Sequence, residues 1–270
     1  MRRAAVLACL AALTSPAAAK VWPTPAAGPS ASGDPEIVFT FDDGPNPTLT
    51  PKVLDILEQH HIQAVFFMVG EQAAKPNKLV RPIVQRMLRD GHVIANHTMK
   101  HADLCRVPEG EAIAEIDGGK AAIERVVGMP LVWFRAPYGA RCDRLEAELA
   151  ARATHHFHWD LDPQEWRGGN KAKTVRYVTG KLAHMHGRNV LLMHDMKRVT
   201  IAALPEILTW LDEENARRAK SGARPIRIIP APEIAVEQLP PGTVAFADDI
   251  VDRLRGLRTD LARVLPSGLR

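Results

Sequence analysis

The chain of 270 residues has no long apolar run after its first 13 positions, no block of lysine and arginine, and only three cysteines. The first absence removes any later stretch of the ~20 apolar residues that a membrane-crossing helix needs. The second speaks against nucleic acid as a partner, because no basic stretch with interleaved aromatics is present and the formal net charge is only +4. Arg2 and Arg3 carry two of those charges, so the remainder stands at +2 and its basic excess reads as solvated surface. No internal repeat or extended low-complexity tract divides the chain. With 46% hydrophobic residues, this length closes one sizeable core, and a single main domain is expected.

What is present begins at the N-terminus. Arg2 and Arg3 precede the apolar run Ala4–Leu13, and Ala17, Ala18 and Ala19 stand before Lys20. That layout resembles a secretory signal peptide over residues 1–19, with an uncleaved N-terminal anchor as the alternative. Its removal would take Cys9 with it and leave an exported protein, periplasmic or secreted, with no stable membrane span. Residues 20–34, rich in Ala, Pro, Ser and Gly, read as a linker.

The folded body is expected to start near Pro35 and to run to residue 229. Residues 36–41 read as a buried strand that stops at Asp42, Asp43, Gly44 and Pro45, a turn-forming cluster. Helices are expected over 50–59, 79–90 and 110–127, and strands over 64–69, 92–96, 131–134, 154–161, 189–194 and 225–229. Short strands alternating with amphipathic helices predict an α/β fold, a parallel sheet curved into a distorted (β/α) barrel. Such a barrel gathers its chemistry at the carboxyl ends of the strands, where the polar segments stand. Residues 230–270 read as a proline-rich surface segment followed by a C-terminal amphipathic helix. That helix, over 249–265, has Ile250, Leu254, Leu257, Leu261 and Leu265 at helical spacing and is expected to pack on the domain.

Five short segments carry the chemistry: Thr40–Pro45 (TFDDGP), His97–His101 (HTMKH), Arg135–Gly139 (RAPYG), Asp162–Trp166 (DPQEW) and Leu191–Asp195 (LLMHD). The spacing of four in His97 and His101 would bring both rings to one side of a helical turn, where their nitrogens can converge on a cation. One carboxylate of Asp42 and Asp43 completes an open His-His-Asp set of the catalytic type. The other acid is then free to take a proton from the attacking water. The other histidine clusters, His60 with His61, His155 with His156 and His158, and His184 with His186, read as structural or exposed. Cys105 and Cys142 each follow one of the five segments; a disulfide bracing the two stretches and a pair of free thiols are both open.

In this order the segments resemble the five motifs of the polysaccharide deacetylase family, also called the NodB-homology or carbohydrate esterase 4 group, over about Pro35–Ile229. The resemblance implies a distorted barrel of the NodB-homology type, Asp42 as catalytic base, and Asp43, His97 and His101 as metal ligands. It further implies that Arg135 holds Asp42, that Tyr138 lends its backbone N–H to the oxyanion, and that Trp166 and Leu192 border the acetyl methyl. His194 becomes the general acid. The family usually has Asp where this chain has Glu165, one methylene longer, so the geometry of its partnership with His194 is open, and Asp162 is the other acid in reach.

The implied activity is metal-dependent removal of N-acetyl groups from an amino-sugar polymer or oligomer, chitin-like, peptidoglycan-like or poly-N-acetylglucosamine-like, with release of acetate. Zinc suits two imidazoles and a carboxylate; cobalt, nickel and manganese also fit. The alternatives are an O-acetyl esterase on xylan or another glycan, a hydrolase of a small non-sugar amide, and a non-catalytic carbohydrate-binding relative. The acetylated glycan is the one partner expected; no protein partner is predicted.

Overall fold

The computed structural model describes residues 33–237; the expected signal peptide, most of the linker and the helix over 249–265 lie outside them. Seven strands form one sheet: β1 Glu36–Asp42, β2 Val65–Met68, β3 Val93–Asn96, β4 Trp133–Phe134, β5 His155–His156, β6 Arg188–His194 and β7 Arg227–Ile228. Eight α-helices accompany them among the described residues: α1 Thr50–Gln59, α2 Gly70–Ala73, α3 Asn77–Arg89, α4 Glu109–Val127, α5 Asp143–Ala151, α6 Lys171–Ala183, α7 Arg198–Ser221 and α8 Ala231–Glu237.

Every strand pair is parallel, in the order β5-β4-β3-β2-β1-β6, with β7 beside the start of β1. The sheet curls far enough for Leu161 to bridge Leu191 on β6, so its two edges nearly meet. Backbone N–H groups of Asp160 and Leu161 both reach the carbonyl of Val190 there. The result is the expected distorted parallel barrel.

Side chains along a strand alternate between its two faces. On β1, Ile37, Phe39 and Phe41 join the outer core with α1, α3, α6 and α7, whereas Val38 joins an inner cluster with Val65, Phe67, Ala95, Trp133, Phe157 and Val190. The inner parity, extended one or two residues toward each carboxyl end, selects Thr40 and Asp42 after Val38, His97 after Ala95, Arg135 after Trp133, and His194 after Val190 and Leu192. Strand register does the rest, pairing Asp42 with both Phe67 and His194. Five of the expected site residues, Asp42, His97, Arg135, Leu192 and His194, thus point inward because of their position in the pleat.

Helix α1 buries Thr50, Val53, Leu54 and Leu57, the helical spacing seen in the sequence. Helix α4 ends where Gly128 turns left-handed at φ +80°, a conformation costly for residues with a Cβ. Two readings are corrected. The proline-rich stretch after residue 229 begins with a helix, α8, whose Ala231 and Ile234 plug the inner cluster; burial of these apolar residues outweighs the local proline content. His97–His101 forms no helical turn: it is a loop after β3 in which Thr98 and His101 have φ of +69° and +63°. Cys105 and Cys142 are joined by a disulfide, which ties the loop after β3 to the start of α5.

Candidate active site

At the carboxyl end of the barrel lies a cavity of about 330 Å³ whose lining includes Asp42, Asp43, His97, His101, Tyr138, Trp166, Leu192 and His194. Asp42 closes β1 and is almost fully buried. A buried carboxylate needs a compensating charge. Arg135, wholly buried, supplies it through an Nη1 donor 2.7 Å from Asp42 Oδ1. The guanidinium is itself held by Thr40 Oγ1 at 2.8 Å, by the carbonyls of Phe157 and His158, and by the ring of Phe67 at 3.9 Å. Its position leaves little freedom to the carboxylate it grips.

The next residue points elsewhere. Asp43 has φ +78°, which swings its side chain toward the two histidines. Its Oδ1 lies 3.7 Å from His97 Nε2 and 3.3 Å from His101 Nε2, and it is buried without a hydrogen-bond partner. Asp43, His97 and His101 offer ligand atoms within 4.8 Å of one another. An orphaned carboxylate oxygen facing two imidazole nitrogens is a donor set that fits a divalent cation. Burial would raise the Asp43 carboxyl, but the interaction with His101 and the charges of His97 and His194 outweigh it and hold it well below the usual range. Burial pushes the His97 imidazole down against the pull of Asp42 and Asp43, favouring the neutral form that can ligate a metal.

Both histidines are aimed through their second nitrogen. His97 Nδ1 lies 2.7 Å from the Arg135 carbonyl, which fixes Nδ1 as the protonated nitrogen and leaves Nε2 free. His101 Nδ1 lies 3.2 Å from the Tyr138 hydroxyl. The segment after β4 therefore orients both rings. Tyr138 itself sits in a single 3₁₀ turn at φ +60°, and the residue, which lines the cavity, is 69% exposed. Left-handed backbone at Asp43, Thr98, His101, Tyr138 and Gln164 is a concentration of strain of the kind that persists at functional sites.

Across the cavity, His194 Nδ1 lies 2.8 Å from Glu165 Oε1, which also accepts the His194 backbone N–H at 2.9 Å and the Thr200 hydroxyl at 3.2 Å. The longer side chain at 165 thus reaches the histidine. Burial would lower the His194 pKa, but the Glu165 bond and charge, with Asp42 and Asp43 behind, raise it above its ordinary value. Asp162 lines the same cavity and accepts the Gln164 N–H at 2.8 Å. Trp166, 43% exposed, and Leu192, buried, stand on this side of the cavity.

The sequence reading missed several residues here. Thr40 and Phe67 were read as strand, yet both fix Arg135; their inward parity was the available signal. Trp159, Ala136 and Lys197 also line the cavity. Glu146, His156 and His158 form a second group within 4.8 Å, although the histidines had been read without partners. Here the atoms of Glu146 and His156 are engaged, although His158 Nε2 is buried without a hydrogen-bond partner: His156 Nδ1 meets Glu146 Oε1 at 2.8 Å, its Nε2 accepts the Ala136 N–H at 3.4 Å, and Arg141 donates to the same Glu146 oxygen at 3.0 Å. The guanidinium opposes a cation at that place. The group instead braces the turn that carries Tyr138, while burial and the neighbouring His156 and Arg141 push His158 down to about 3.

A parallel half-barrel that sets an acid and two imidazoles beside one arginine-held carboxylate, with an acid-paired histidine opposite, offers the groups that a metal-assisted hydrolysis would use. The polysaccharide deacetylase family matches residues 30–157. A chitooligosaccharide deacetylase from Bradyrhizobium sp. is 38% identical over 165 residues, 61% of this chain and 72% of that protein. A peptidoglycan-N-acetylglucosamine deacetylase from Bacillus cereus is 34% identical over 186 residues, covering 67% of this chain and 84% of its own. Among solved structures, a family 4 carbohydrate esterase from Streptomyces lividans in complex with acetate superposes with a TM-score of 0.59 at 28% identity, over 73% of this chain and 94% of that one. The chain belongs to the polysaccharide deacetylase family, whose carbohydrate esterase 4 enzymes are metal-dependent.

Proposed function

We propose that the protein hydrolyses N-acetyl groups from an amino-sugar polymer or oligomer and releases acetate, with Asp43, His97 and His101 as ligands of a divalent cation, zinc by preference. The observation that carries this reading is the division of labour between adjacent acids. Asp42 gives Oδ1 to Arg135 and holds Oδ2 3.6 Å from His97 Nε2, whereas Asp43 Oδ1 faces both histidines, which supports Asp43 as the ligand and the arginine-anchored Asp42 as the base. When bound, the cation supplies Lewis-acid stabilisation of developing negative charge and acidifies the attacking water. Asp42 takes the proton of that water. The backbone N–H of Tyr138 donates to the oxyanion that forms on the acetyl carbonyl, where fixed dipoles are worth most.

Leu192 and Trp166 border the methyl group. An amide nitrogen is a poor leaving group until it is protonated, and His194, kept as imidazolium by Glu165, provides that proton from the side opposite the base. This requirement favours N-acetyl over O-acetyl substrates, since an alcohol leaves with less help. The names of the relatives point the same way, one acting on chitooligosaccharides and one on peptidoglycan N-acetylglucosamine. The disulfide and the signal-like residues 1–19 support export to an oxidising compartment. Among the described residues no helix is long and apolar enough to cross a membrane.

The test is acetate release from N-acetylated glucosamine oligomers and acetylated xylan, with protein stripped of metal and reloaded with Zn²⁺. Metal-dependent release from the amino-sugar oligomers is expected; release from xylan alone would overturn the proposal. The acid has its own signature. Because Glu165 raises the His194 pKa, the activity that needs imidazolium persists to a pH above the ordinary histidine value of ~6.5 and is lost as pH climbs through the raised value. Glu165→Gln removes the charge, so the alkaline limb of the kcat profile should move to lower pH. An unmoved limb would remove Glu165 from the role of tuning the acid.

A further inference from the structure

Asp195 is wholly buried, does not line the cavity, and has no part in the chemistry above. It follows His194, and the alternation that turns His194 inward turns Asp195 to the outer face of the sheet, toward the start of α1. There Asp195 Oδ2 accepts the Thr50 hydroxyl at 2.6 Å, and the Thr50 oxygen accepts the Asn46 N–H at 2.7 Å. The carboxylate also lies against Gly44 so closely that a Cβ at that position would stand 2.0 Å from Oδ2. Only glycine permits this approach.

The cost of such a group is plain. Its second oxygen, Oδ1, has no hydrogen-bond partner, and burial of a half-satisfied carboxyl is unfavourable. A residue that weakens the core and takes no part in the reaction calls for another role, and the neighbours identify one. Asp43 stands between two anchored residues: Asp42, held by Arg135, and Gly44, wedged against Asp195. On the β2 side, the Asp43 N–H reaches the Phe67 carbonyl at 3.2 Å, and the Gly44 carbonyl accepts the Val69 N–H at 3.0 Å. The β6 side is secured by Asp195 through Thr50 and Gly44. The left-handed backbone of Asp43, which aims its oxygen at the histidines, is pinned from both flanks.

We infer that Asp195 is a positioning residue for the metal ligand Asp43, acting by locking the turn from Gly44 to Thr50 against the end of β6. The inference rests on the metal reading of Asp43, His97 and His101. Its test is Zn²⁺ affinity, measured on the metal-stripped full chain by competition with a chromophoric chelator. Asp195→Ala should weaken Zn²⁺ binding by about 10- to 100-fold, the range for loss of a group that orients a ligand. Thr50→Val, which breaks the same contact from the other side, should weaken it in parallel and carries the test if Asp195→Ala does not fold. Asp195→Asn keeps an oxygen for the Thr50 hydroxyl and should recover most of the affinity. Leu208→Ala, a core truncation on α7 that removes no contact of Asp195 or Thr50 named above, should leave affinity as in the unmodified protein.

Unchanged affinity in both Asp195→Ala and Thr50→Val would overturn the inference, and so would an equal loss in Leu208→Ala, which would make the effect one of general stability. The underlying reading fails differently. If the unmodified protein bound no Zn²⁺, or bound it equally well after His101→Ala, the ligand assignment and this inference would fall together.

Discussion

Asp42→Asn is expected to bind metal as the unmodified protein does and to lose about 10²- to 10⁴-fold in turnover, the usual contribution of a positioned general base. The substitution is nearly isosteric. The carboxamide oxygen can still accept the Arg135 Nη1 donor that now lies 2.7 Å from Asp42 Oδ1, so the turn and the pocket should persist. What disappears is the basic lone pair. Elemental analysis together with acetate release separates the two effects: full metal content with near-normal turnover would reject Asp42 as the base. Loss of metal as well would show that Asp42 belongs to the ligand set, a reading its 3.6 Å separation from His97 Nε2 makes worth testing.

The second large effect is expected at His97. Its imidazole is buried, its Nδ1 proton is committed to the Arg135 carbonyl, and its Nε2 has no other task than to face the acids. His97→Ala deletes one of the three proposed protein ligands, and the protein should be isolated with little or no bound metal and with acetate release at background. Full occupancy by elemental analysis would refute the ligand assignment. The two variants form a pair: one keeps the cation and loses the base, the other loses the cation and keeps the base.

Much of this was legible before any coordinates, and for a physical reason. Strand parity is a local property, so the apolar runs ending in Asp42, Asn96, Phe134 and His194 placed four of the five segments at the same end of a parallel sheet. What was not legible depended on contacts distant in sequence. The bond between Thr40 and Arg135 joins residues 95 positions apart, and that between Thr50 and Asp195 joins residues 145 apart. His97 and His101 show the limit from another side. Their spacing suited a helical turn, yet the rings meet through a loop with left-handed residues, with centroids 5.0 Å apart. Residue spacing said that convergence was possible and not which backbone would achieve it. Glu146 as partner of His156 was hidden although only 10 positions separate them, since spacing alone does not say how α5 lies against β5.

The pleat that turns Asp42, Arg135 and His194 inward also sets how this chain can change over time. Insertion or loss of a single residue inside β1 or β6 would exchange inner for outer side chains beyond that point, carrying the reactive groups out to the helices. A gain or loss of residues in the connections beyond the strand ends leaves that phase untouched. Variation among descendants of this sequence should therefore accumulate as length differences in the connecting loops, around strands whose lengths are held constant.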